Sequence, residues 1–327
     1  MSRSESGRSV ATDTSPPPAA PNLDGGWPRV GVVLATHNRP ELMRLALRSI
    51  LDQDYPGSIE VVLVFDRSEP DESLRCEDPR RRVTVVANER TPGLAGARNT
   101  GVLALDTPLV AFCDDDDAWL PSKLRSQVER MLERPEARFC TTAMRVDCDG
   151  RSTVRLALKD QITIDDMARS RMAMLHSSSF LFRRDAMLHE FGLVDETLPR
   201  SMAEDWDLLL RAARLAPIEN VDEPLVTILW GASSYFNEAW ADKNAAHEWL
   251  IARHPEILAS KIGAGLLLGK LAFGHAVLGH RRRALGLAVR CIRSRWREPR
   301  GYLALLVVAG FPGRHIQDAL NRRGHGI

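Results

Sequence analysis

With 327 residues, 44% hydrophobic and 27% charged, the chain has the composition of a folded protein with room for one large domain and an appendage; it is neither fibrous nor wholly disordered. Forty-four Lys+Arg against 43 Asp+Glu leave a net charge of +1, which supplies no whole-molecule field for gripping nucleic acid. The charge is divided along the chain: residues 261–327 carry 13 basic side chains against Glu298 and Asp318, so the first 260 residues are acidic by ten.

Residues 1–28 are rich in Ser, Pro and Gly, with Pro16-Pro17-Pro18, and cannot bury enough apolar surface to offset their ordering entropy; they read as a disordered leader. No signal-peptide core occurs there, and the longest late apolar run, residues 302–311, is too short for a bilayer. Five scattered cysteines (Cys76, Cys113, Cys140, Cys148, Cys291) show neither CxxC nor zinc spacing. Reduced thiols in a cytoplasmic protein, soluble or peripheral to a membrane, are expected.

From Val30 the pattern changes. Residues 30–35, 59–65, 82–87 and 109–113 are short apolar runs of the kind that form strands buried on both faces. Helical spacing separates them: Leu42, Leu45, Ala46 and Ile50 after Pro40, residues 94–105, and Leu120, Leu124, Val128 and Met131. This alternation predicts an α/β fold, a mostly parallel sheet covered on both sides. Further on, residues 139–147 and 152–158 predict a hairpin around Asp149-Gly150, residues 177–182 a strand, and residues 204–215 a helix. From about Ile257 the chain is helical, with Leu285, Val289, Ile292 and Trp296 on one face and arginines on the other. The expected division is a leader (1–28), an α/β domain (29–255) and a basic helical region (256–327).

Ligands of open α/β sheets gather beyond the carboxyl ends of the strands. Three such ends carry polar groups: Thr36-His37-Asn38-Arg39 after the first strand, Asp66 after the second, and Asp114-Asp115-Asp116-Asp117 after the fourth. Four aspartates at a partly buried strand end repel one another, and a hard divalent cation relieves that repulsion while bridging nucleotide phosphates. The alternative is a solvated acidic turn; the apolar strand before it and Trp119-Leu120-Pro121 behind it favour the cation. Small residues through 88–101 allow a helix N-terminus to approach a ligand, with Arg98 one turn inside; a capped helix with a surface arginine fits equally. Glu204-Asp205-Trp206-Asp207 opens the next helix, where acids serve either as caps or as a general base. His176, before Ser177-Ser178-Ser179, reads as a polar loop or an acceptor contact.

Taken in order, Val32 to Pro40, Asp66, Ala97-Arg98-Asn99-Thr100-Gly101, the segment 112–121, and Glu204-Asp205-Trp206-Asp207 with Arg211 resemble family 2 glycosyltransferases of the GT-A fold over roughly residues 30–235. That resemblance implies inverting transfer from a nucleoside diphosphate sugar to a hydroxyl acceptor, a saccharide or lipid-linked glycan, with Mn²⁺ or Mg²⁺ on the diphosphate. It implies Thr36 and Asp66 at the nucleoside with His37, Asn38 and Arg39 in the same rim, Arg98 at the base or pyrophosphate, and Asp115 near the ribose. It implies Asp114 and Asp116 as metal ligands and Asp205 as base. Two segments depart from the family pattern: Asp66-Arg67-Ser68-Glu69, and residues 229–234, where a phosphate-binding His or Arg is absent. A nucleotidyltransferase would carry a glycine-rich loop after the first strand, which is missing here; a non-catalytic nucleotide-sugar-binding protein would not need the aspartates. The basic C-terminal helices fit either a solvated subdomain or a face laid on an anionic membrane.

Overall fold

The computed structural model describes residues 23–24, 26–148, 150–229 and 240–321. Most of the expected leader, Asp149 and the segment 230–239 therefore lie outside the described residues.

Strands β1 (Val30–Thr36), β2 (Ile59–Phe65), β3 (Arg81–Ala87) and β4 (Leu109–Asp114) alternate with α1 (Pro40–Leu51) and α2 (Leu94–Ala104). A short β5 (Asp117–Trp119) leads to α3 (Lys123–Glu133) and then to β6 (Phe139–Cys148), β7 (Arg151–Arg155), β8 (Gln161–Ile162) and α4 (Ile164–Arg169). Next come β9 (Leu181–Arg183), α5 (Glu204–Leu215) and β10 (Ile218–Leu229). The described residues after it are mainly helical: α6 (Trp240–Arg253), α7 (Pro255–Ala259), α8 (Lys261–Val277), α9 (Arg281–Ser294), α10 (Pro299–Val308) and α11 (Gly313–Asn321).

These ten strands join one sheet in the order β8-β10-β6-β9-β4-β1-β2-β3, with β5 on β10 and β7 on β6, and a separate short ladder pairs Leu23–Asp24 with Trp27–Pro28. The half from β4 to β3 is parallel throughout, as the alternation predicts. Beyond it pairing is mixed: β9 is antiparallel to both β4 and β6, while β6 and β10 are parallel. The local cause lies in residues 177–182. The expected strand there is a 3₁₀ turn over Ser177–Ser179 followed by β9, because the serine hydroxyls and the His176 carbonyl take up the local hydrogen bonds.

Alternation along the strands divides the core. Val33 of β1, Val62, Phe112, Phe139 and Phe182 pack under α2 and α5, whereas Val32, Leu34, Val61 and Leu63 pack under α1 and α3. Phe112 and Phe182 meet edge to face at 5.0 Å. Gly101 lets α2 close onto the sheet: a Cβ there would lie 2.4 Å from Val33.

In α9 the face carrying the larger apolar residues is not the buried one. Its buried face is Ala284, Ala288 and Cys291, packed against α8 and α10, while Leu285 (47% exposed) and Val289, with Trp296 just beyond the helix, face outward. Small residues let the helices approach closely, and that contact outweighs the larger side chains' preference for burial.

Candidate active site

The three polar strand ends meet. The backbone N–H of Asp66 donates to Thr36 O at 2.9 Å, extending the β1–β2 ladder by one step. Thr36 Oγ1 donates to Asp115 Oδ2 at 2.8 Å, and the His37 N–H reaches the same oxygen at 3.4 Å. Arg39 spans Asp115 at 3.3 Å and Asp116 at 2.6 Å. His37 and Asn38 are exposed, with His37 Nδ1 2.7 Å from the Asp66 carbonyl. Beside this rim is a concavity lined by Thr36, Arg39, Met43, Phe65, Ser68 and Asp71, apolar at its base and polar at its lip.

Asp66 is buried, which by itself raises its pKa. Hydrogen bonds from Asn88 (2.8 Å) and the Gly93 N–H (3.0 Å), together with the Arg67 guanidinium, nevertheless hold it below the ordinary carboxylate value. It is a fixed anion. Arg67, which departs from the family pattern, is thus a clamp on Asp66, with its own backbone in the left-handed region (φ 50°).

The four aspartates have four different environments. Asp114 accepts from Arg98 at 2.6 Å and Ser177 at 3.0 Å; burial opposes ionisation, but Arg98 and His176 keep it below the ordinary range. Asp115 and Asp116 are raised by burial, partly offset by Arg39, with Asp114's charge adding to the rise. Asp117 is 3% exposed, held by Ser178 and 3.3 Å from His176 Nδ1; burial and Asp114 push it well above the ordinary value.

One oxygen each from Asp114 and Asp117 and one nitrogen of His176 lie within 4.8 Å of one another, close enough to converge on one cation. Two carboxylates with an imidazole suit Mn²⁺ or Mg²⁺ less strictly than an all-oxygen set, yet the crowded anions fit a divalent ion. Asp116, paired by sequence with Asp114, instead faces Arg39 at the lip. Asp117 and His176 are the site residues that the D-x-D spacing did not single out.

Across the cleft, Ala203 adopts φ 64° and launches α5. Asp205 accepts from Arg171 at 2.7 Å and from the Trp206 N–H at 2.8 Å. Burial raises its pKa, but Arg171 outweighs that and keeps it below the ordinary value, so the carboxylate is ionised at neutral pH. Glu204 is pushed up to about 7 by burial, against Arg98 and with Asp205 and Asp114 adding to the rise. Asp207 is elsewhere, fully buried against His254 at 2.8 Å and Arg211 at 2.9 Å, where it ties α5 to the α6–α7 junction.

Arg98 joins the two sides. Only 2% exposed, it donates to Asp114 and, at 2.7 Å, to Glu204, and its guanidinium lies 5.1 Å from the centre of the Phe112 ring. The sequence placed it on a helix N-terminus able to meet phosphate; here both ends of the guanidinium are engaged by carboxylates. Arg171 sits in an unpatterned stretch, and no sequence signal marked it.

Residues 31–190 match the model for Glycosyl transferase family 2. Among curated proteins, the chain is similar to the succinoglycan biosynthesis protein ExoO of Rhizobium meliloti, 31% identical over 186 residues, which are 55% of this chain and 50% of that protein. The chain thus spans about half the length of that relative. Among solved structures, S. aureus TarS 1–349 in complex with UDP-GlcNAc superposes with a TM-score of 0.60 at 18% identity, covering 91% of this chain and 92% of that one. The mannosyltransferase PcManGT from Pyrobaculum calidifontis, in complex with GDP-Man and Mn²⁺, gives 0.54 at 18% identity over 88% and 87%. At these identities the likeness speaks for the fold, and it agrees with the mixed sheet and the helical C-terminal part. With the ordered motifs now found around one cleft, residues 31–190 carry the pattern of the family 2 glycosyltransferases, on a GT-A fold.

Proposed function

We propose that the chain is an inverting, metal-dependent glycosyltransferase that moves a sugar from a nucleoside diphosphate sugar to a hydroxyl acceptor. The observation that carries this reading is Arg98: one buried guanidinium ties the aspartate cluster at the sheet edge to the acidic start of α5, so both lie in a single cleft. Thr36, His37, Asn38, Arg39 and Asp66 form the nucleoside rim, and Asp115 lies next to Thr36, at the ribose position. Arg98 orients Asp114 toward the diphosphate. Asp114 and Asp116 would hold the cation, with Asp117 and His176 available to complete its shell. A bound Mn²⁺ or Mg²⁺ supplies charge neutralisation for the departing diphosphate.

Asp205 is the base. Kept ionised by Arg171, it accepts the proton of the acceptor hydroxyl as that oxygen bonds to the anomeric carbon and the bond to the diphosphate breaks. Attack from the face opposite the leaving group inverts the centre. Asp205→Asn is expected to lower transfer by about 10²–10⁴-fold while nucleotide binding persists; near-wild-type turnover of the purified variant would refute the assignment. Proton NMR of the product anomer tests inversion.

We further propose that residues 29–255 form the catalytic unit and residues 256–327 a helical region meeting an anionic membrane, at the cytoplasmic face. Support comes from the outward Leu285, Val289 and Trp296 flanked by Arg281, Arg282, Arg283, Arg290 and Arg293. Among the described residues no helix is long and apolar enough to cross a membrane. Salt-sensitive co-flotation with anionic vesicles is expected, and its absence would remove this part of the reading.

A further inference from the structure

A second group of charges gathers beyond Arg171, the partner of Asp205, outside the roles proposed above. Its members come from three elements: Arg171, just beyond α4; Lys243 and His247, one turn apart on α6; and Lys270 on α8. Helix packing places them together. On α6, Asn244 lies against Gly274 of α8, where a Cβ would sit 2.2 Å from the Asn244 amide, and Trp240 meets Phe273 at 5.4 Å. Lys270 is one turn before Gly274 on that same face of α8, and Lys243 and His247 flank Asn244.

The acids nearby are committed elsewhere. Asp242 pairs with Arg200 at 2.7 Å, Glu248 with Arg283 at 2.6 Å and His275 at 3.1 Å, and Glu298 with Arg300 at 2.6 Å. Asp205 pairs with Arg171 at 2.7 Å, and the Arg171 side chain stays 45% exposed. Among the described residues, neither Lys243 nor Lys270 has a hydrogen-bond or ion-pair partner; the Lys243 amine lies only over the Trp240 ring, at 4.5 Å. The buried Nδ1 of His247 also has no partner. Burial, then Arg171, Arg300 and Lys243, bring Lys270 down to about 7; burial with Lys270, Arg171 and Lys243 brings His247 down to about 3, so its imidazole is neutral and able to offer an N–H.

Unpaired, partly buried cations are costly to fold, and an arriving anion relieves that cost. We propose that Arg171, Lys243, His247 and Lys270 form an anion site that grips a phosphate or diphosphate on the acceptor, so that the acceptor's hydroxyl is presented to Asp205. The inference deepens the glycosyltransferase reading and rests on it. It commits the acceptor to a phosphate-bearing class: either a lipid-linked saccharide diphosphate or a soluble glycan with phosphate in its backbone.

The test titrates inorganic pyrophosphate into the full chain without divalent metal, followed by calorimetry and thermal shift. Wild type is expected to bind, and Lys270→Met and Lys243→Met are each expected to weaken binding by about tenfold or more. Arg39→Met, on the donor rim, is expected to leave it within about twofold. Without ligand, Lys270→Met is expected to melt no lower than wild type, since it removes an unpaired charge; Lys243→Met supplies the same affinity readout should that variant fail to fold. No pyrophosphate binding by wild type, or binding lost in Arg39→Met and kept in Lys270→Met, overturns the proposal. Nucleoside diphosphate binding with Mn²⁺, measured on the same samples, separates the two readings: its absence in wild type breaks the donor reading and leaves the pyrophosphate result standing. Both vesicle outcomes fit the site and name the source. Displacement of pyrophosphate by phosphatidylcholine vesicles carrying polyprenyl diphosphate, and not by plain ones, assigns the anion to a lipid-linked acceptor; retention in both assigns it to a soluble one.

Discussion

In the parallel half of the sheet the functional groups stand at fixed steps of a backbone ladder. Thr36, Asp66 and Asp114 each end or follow a strand, and the two anions, Asp66 and Asp114, have named partners in Ser177, Asn88, Gly93 and an arginine each. On the other side of the cleft the groups come from α5, the chain after α4, and helices α6 and α8, and two cations there, Lys243 and Lys270, have no counter-ion among the described residues. In the first half the acids are paired within the protein yet still crowd one another at Asp114–Asp117. The second half is left positive.

The strongest way to break this comparison is to cut the link between the halves. Arg98→Met leaves Asp114 and Glu204 buried without their cation and is expected to cost about 3–5 kcal/mol, measured by urea unfolding at neutral pH. A cost below 1 kcal/mol, on the scale of an exposed pair, would mean that the halves are not coupled through this residue. Packing provides the next test. Ala288→Leu on the buried face of α9 is expected to cost about 1–3 kcal/mol by overpacking.

Titration sharpens the contrast. Removing Arg171 takes away the cation that keeps Asp205 low, so the acid limb of the Arg171→Met rate profile is expected to move to higher pH while the nucleotide affinity is retained. Glu204 has the opposite sign. With a folded pKa of about 7 against an ordinary 4.5, the native state keeps a proton that the unfolded chain releases between these values. Its contribution to stability therefore falls as pH rises from 4.5 to 7 and is flat above; Glu204→Gln should flatten that decline in denaturation midpoints taken across the window. The smallest effect is expected on the outer face of α9, where Leu285→Ser should change stability by no more than about 0.5 kcal/mol while weakening any binding to anionic vesicles.

The sequence by itself determined the parallel half and its rim. Continuous apolar runs such as 59–65 report burial on both faces, and a strand's end is where its polar residues must emerge, so Thr36, Asp66 and the four aspartates were legible from local pattern. Arg98 was legible as a residue of the site but not in its contacts, because two of its partners, Asp114 and Glu204, lie 16 and 106 positions away. Only the tertiary structure decided which acids share a site. It set Asp117 with His176, turned Asp116 to Arg39 and sent Asp207 into the core with His254. It also chose the buried face of α9, since close approach of Ala284 and Ala288 to α8 and α10 is a property of three helices together. Periodicity records what one segment needs to bury; the burial it obtains, and the charges it meets, depend on neighbours that no local window contains.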